Sequence, residues 1–131
     1  MAETISDDKK VLEDRLGNAL DEAWSKASLA LEGLEGQSNG FEIKVRLAAE
    51  AVEYSSALFS LAYGLEDFDP EVNIAKKNID SKALVKQSVE ELRKAIELRK
   101  SSTTEAYSML RAAADHLKVA YLDHVKKSAK K

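Results

Sequence analysis

Arg111 and His116 are the side chains whose types and spacing best suit chemistry in this chain. An imidazole can serve as general base toward a 2′-hydroxyl or orient it, and a guanidinium can stabilise the charged phosphorane that follows. Five residues on one regular helix turn the two about 140° apart. They converge only near a helix end or across a dimer. Paired carboxylates come next. Glu50 and Glu53 stand three apart, as do Glu66 and Asp69, so each pair shares a helix face. If one continuous helix carries both pairs, Glu53 and Glu66 lie about 20 Å apart along its axis. One magnesium cluster does not bridge that distance, and we read these residues as solvated charges flanking a buried segment. His116 and His124, each preceded by an aspartate (Asp115, Asp123), are two turns apart, too far to share a metal. No metal or cofactor is expected. The chain has no cysteine and no Gly-x-Ser-x-Gly elbow. Its glycine cluster, Gly33 to Gly40, follows a helix and lacks a Lys-Ser/Thr pair, so it is no phosphate loop. The basic tail (Lys118, Lys126, Lys127, Lys130, Lys131) compensates a helix dipole. A weak RNA contact is its sharper reading, although no aromatic interleaves to stack on bases.

The segment Arg111-Ala-Ala-Ala-Asp-His116 resembles the Rx4–6H motif of the HEPN superfamily. The apolar stretch 48–65, with Tyr54 and Tyr63, resembles that family's central helix, and the likeness covers roughly 45–125. It implies a small helical bundle, often dimeric. It also implies a ribonuclease, or a partner of nucleotidyltransferases in toxin–antitoxin pairs, with Arg111 and His116 as the catalytic residues. The Glu50/Glu53 and Glu66/Asp69 pairs resemble the metal pattern of all-helical nucleotide pyrophosphohydrolases, but the axial spacing above argues against one site.

The elements that must position these residues follow from periodicity. Alanine, leucine, glutamate and lysine dominate, and all favour helix. One proline and five glycines leave little to interrupt it. A first helix is expected from an N-cap at Ser6, with Leu12, Leu16, Leu20, Trp24, Ala27, Leu31 and Leu34 as its stripe. It stops in the Gly33–Gly40 loop. A second runs from Phe41 to Asp67 and is broken by Asp69-Pro70. Val45, Ala48 and Val52 form its stripe. Its second half (Ala57, Leu58, Phe59, Leu61, Ala62, Tyr63, Leu65) is apolar all round and should be buried all round. The stretch 71–80 reads as a loop with, at most, one helical turn. A third helix starts at Asp80 or Ser81, with Val85, Val89, Leu92 and Ile96 inward. Ser102 and Glu105 match a capping box and favour a break there; one continuous helix from Ala83 to His124 is the competing reading. The last helix carries Tyr107, Leu110, Ala114, Leu117 and Tyr121.

These elements predict an all-α, elongated, antiparallel four-helix bundle of up-down order, one domain over 1–131 with 1–5 and 127–131 frayed. The length of 131 residues suits a single core. The residues 1–10 are acidic and polar, unlike a signal peptide, and the most apolar stretch falls far short of the ~20 residues of a membrane span. We expect no membrane role and a cytoplasmic location. The leading functional expectation is a helical interaction protein without catalysis of its own, a homodimer or accessory subunit, with Leu58, Phe59, Leu61, Ala62 and Leu65 as its interface. The alternative is the HEPN-like ribonuclease or toxin–antitoxin component. A small-ligand pocket near Trp24, Tyr54 and Tyr63 ranks third.

Overall fold

A computed structural model describes the backbone of residues 2–36, 40–70 and 80–129, and the side chains of 9–33, 40–70 and 80–126. The described residues form four helices: α1 (Ala2–Gly36), α2 (Phe41–Tyr63), α3 (Ser81–Leu98) and α4 (Thr103–Ala129). The expectation for 71–79 lies outside the described residues. No helix among the described residues is long and apolar enough to cross a membrane.

The helix ends follow local chemistry. α1 begins four residues before the expected Ser6, because no proline or glycine stands in the upstream residues to stop it. α2 ends at Tyr63, not Asp67. Gly64 takes a left-handed conformation (φ 65°) and returns its N–H to the Ser60 carbonyl, a helix stop that needs no Cβ. Asp80 caps α3, its carboxylate accepting from the Lys82 and Ala83 amides at 3.1 and 3.5 Å. The α3–α4 break is present: 99–102 turn between the helices, with the Ser102 amide on the Leu98 carbonyl at 2.9 Å. The Ser102 hydroxyl donates to the Glu105 carboxylate at 3.3 Å rather than capping a backbone amide.

The helices pack around one core. α1 lies against α2 and α3, and α4 against the same two, so α2 and α3 sit on one diagonal. Side-chain pairs fix the directions. Phe59 stacks near Tyr107 and Phe41 lies edge-on to His124, so α2 and α4 are antiparallel. At the other end of α3, Arg99 donates to the Glu13 carbonyl at 2.8 Å and the Tyr63 hydroxyl at 3.3 Å. The end of α3 thus meets the end of α2 and the first half of α1. It follows that α2 and α3 run parallel, and the order is up-down-down-up rather than simple up-down. Two antiparallel hairpins, α1–α2 and α3–α4, pack on each other. The sequence separation between Tyr63 and Ser81 permits this order, since α3 starts at the end of the bundle opposite the end of α2.

The core is unusually lean. α1 buries Leu16, Leu20, Ala23, Ala27 and Ala30, at steps of four and three. Trp24, expected inward, is instead partly exposed, and alanines take the seam. Short side chains let α1 approach α2 closely, where Val45, Ala48, Val52, Ser55 and Ser56 face it or α4. Three buried serines satisfy their hydroxyls on their own helices: Ser55 on Ala51, Ser56 on Glu53 and Ser88 on Leu84. Phe59 and the leucines Leu92, Leu110 and Leu117 supply the larger fully buried volumes.

Candidate functional site

His116 does not stand open to a substrate. It is 5% exposed, and its Nδ1 donates to Glu91 Oε1 of α3 at 2.8 Å. While Glu91 is ionised its carboxylate only accepts, and the imidazole proton then sits on that nitrogen. Burial pushes the Glu91 carboxyl above its ordinary range. The bond and charge of His116, and more weakly Gln87 and Lys94, oppose that shift without cancelling it. Arg111 is half-buried on the same uninterrupted α4. Five residues of regular helix point it about 140° away from His116. Within one chain the two are not brought together. The carboxylate that engages His116 carried no sequence signal, because Glu91 looks like any exposed residue of an acidic-basic helix face.

The other sequence candidates separate likewise. Glu53 pairs with Lys118 of α4 at 2.8 Å, and Glu50 lies 3.9 Å from Arg46. Glu66 and Asp69 follow the end of α2 rather than extending it. Among the described residues no three His, Cys, Asp or Glu side chains gather as a metal site. Tyr54 and Tyr63 are nine residues apart, hence on opposite faces of α2. Tyr63 packs on Phe59 at 4.7 Å, while Tyr54 points outward, so no pocket joins them with Trp24.

Of the expected interface residues, Leu58, Phe59 and Ala62 are buried in the chain's own core, and Leu65 packs against it. α1 and α4 bracket α2 and cover that side. This corrects the expectation that the second half of α2 is buried all round: Leu61 and Ala57 face outward. Leu61 belongs to a different surface that periodicity alone did not bring out. Ile43, Leu47, Tyr54 and Leu61 are 57, 37, 57 and 54% exposed. With Glu50 and Ala57, both also exposed, they fall at steps of four and three along the whole outer face of α2. That spacing is the seam of a coiled coil, and among the described residues no helix fills it. Groove walls flank the seam. On one side stand Glu22 and Lys26 of α1, lining a hollow with Glu50 and Tyr54. On the other, Tyr121 and the exposed Leu122 of α4 line a hollow with Arg46, Ala49 and Glu50. Leu29, seven residues after Glu22 and so on the same face of α1, is also largely exposed. The apolar surface therefore spreads sideways from the seam.

No family model, curated protein or solved structure matches this chain.

Proposed function

We propose that this chain is a helical interaction protein that offers the outer face of α2 to a helix of another chain. The observation that carries the reading is the four-three seam Ile43, Leu47, Tyr54, Leu61, exposed over about 27 Å of helix. Large apolar side chains along one face, interrupted only by Glu50 and Ala57 and rimmed by the charges of Arg46, Glu53 and Lys118, are the composition of an interface rather than of ordinary surface. A catalytic reading through Arg111 and His116 lacks comparable support. A buried imidazole already bonded to Glu91 has no open side for a 2′-hydroxyl, and the arginine points elsewhere. The chain therefore acts by binding, as a homodimer or an accessory subunit.

The test is native mass spectrometry of the protein recovered from its own cells, wild type beside Leu47→Lys with Leu61→Lys. Wild type should arrive in a stoichiometric complex, with a copy of itself or with another chain, and the variant as a bare monomer. A wild-type monomer, or a complex indifferent to both lysines, would sink the reading.

A further inference from the structure

The α2 seam is complementary to itself. Reversed and laid on a second copy about a point at residue 52, it places Ile43 opposite Leu61, Leu47 opposite Ala57, and Glu50 opposite Tyr54. Each pair sums to the same register, and each joins the two core positions of an antiparallel coiled coil. A large side chain meets a small one at Leu47–Ala57. The one charge on the seam, Glu50, meets the one hydroxyl, which can donate to it. Resting on the interaction reading above, we infer that the partner of α2 is α2 of a second copy, antiparallel, about a two-fold axis near Val52.

Charge decides the direction. A parallel pairing would stack Glu50 on Glu50, placing like charges together within the seam. In the antiparallel pairing Glu50 meets the Tyr54 hydroxyl instead, and Arg46, exposed beside the seam, faces the uncharged second half (54–63). Glu53 lies nearest the axis and would approach its own copy there, but it arrives already paired with Lys118 at 2.8 Å. The contact is isologous, as a two-fold dimer requires. Leu29 and Leu122 stand beside the seam on α1 and α4 and widen the apolar area beyond one helix face.

Purified protein at roughly 100 µM should sediment as a dimer, since mass action favours association at high concentration. Ile43→Lys with Leu61→Lys sets lysine against lysine in both symmetry-related pairs and should give a monomer of unchanged helicity. Ile43→Glu with Leu61→Lys sets glutamate against lysine and should dimerise at least roughly tenfold more tightly than the double lysine. Ile96→Lys, on α3 away from the seam and exposed rather than inward as its stripe suggests, should leave the dimer intact. The chain has no cysteine, so the register can be read by oxidation. Leu47→Cys with Ala57→Cys should cross-link two copies. Either change alone should not, because each cysteine then lies about 15 Å from its own copy, beyond disulfide reach. Self-cross-linking of the single Leu47→Cys variant would overturn the antiparallel register. A wild-type monomer, or a dimer that survives the double lysine, would overturn the second copy as partner. If the purified chain is monomeric while the complex from cells is still lost in the Leu47 and Leu61 variant, only the second copy falls and the interaction reading stands.

Discussion

Replacing His116 with alanine should cost the fold about 3 kcal/mol at neutral pH. The side chains of His116 and Glu91 are 6 and 14% exposed and share a 2.8 Å bond. Removing the imidazole deletes a hydrogen bond to a charged group, worth about 1.5–3 kcal/mol. It also leaves a buried carboxylate unpaired, and breaking such pairs costs about 3–5 kcal/mol. Glu91 can shed part of that cost by taking up a proton, since burial already holds its carboxyl high, so the lower end applies. The urea midpoint should fall by about 1.5–2 M with little change in slope. The deficit should also depend on pH. Without His116 the carboxyl rises further, so the variant loses stability faster than wild type as pH climbs through and above the carboxylate range. Urea melts followed by helicity at pH 5 and pH 8 should show the larger gap at pH 8. Glu91→Met added to His116→Leu should recover much of the loss, because an apolar pair leaves no buried charge. A His116→Ala protein within about 0.5 kcal/mol of wild type at pH 8, the ordinary range for a surface change, would refute the argument. The result also governs any RNA-cleavage assay of this variant, in which lost activity would have to be separated from lost folding.

Glu91→Gln tests the sign of the pair by itself. A carboxyl raised by burial contributes stability below the ordinary carboxylate range and loses it as pH rises through the folded-state value. Between pH 4 and pH 7 the variant's urea midpoint should therefore fall less than that of wild type. Two glycines should respond oppositely to alanine. Gly64→Ala, at φ 65°, should lower stability by about 1 kcal/mol. Gly17→Ala, inside α1 with ordinary contact to Arg99 at 3.5 Å, should raise it by up to about 1 kcal/mol; thermal melts with matching signs would contradict one of the two. Phe59→Ala empties the largest fully buried side chain and should cost about 3–5 kcal/mol, and a loss under 1 kcal/mol in denaturant melts would mean that the core around Tyr63 and Tyr107 is not packed as described.

Much of the architecture was legible in the residues themselves. Helix formers without interruption give four helices, and Gly33–Gly40, Asp80 and Ser102 mark their limits, because capping and chain reversal are local events. Gly64 was a weaker signal inside an apolar run, and it ended α2 four residues before the expected limit. The inward stripes of α2 and α4 were also readable, since Val45, Val52, Leu110 and Leu117 recur with the helical period. Tertiary structure decided everything that depends on which helix stands beside which. The period of α1 allows Trp24 or Ala23 to face the core; close approach to α2 selects the alanines. Glu91 and Glu90 are indistinguishable in sequence, yet one is buried against His116 and the other pairs on the surface with Arg93. The second half of α2 is apolar on all sides, and only the placement of α1 and α4 shows that Leu58, Phe59 and Ala62 are used within the chain while Leu61 joins Ile43, Leu47 and Tyr54 outside. Periodicity reports that a helix has an apolar face. It does not report which of two apolar faces the chain covers for itself, because that is set by neighbours distant in sequence.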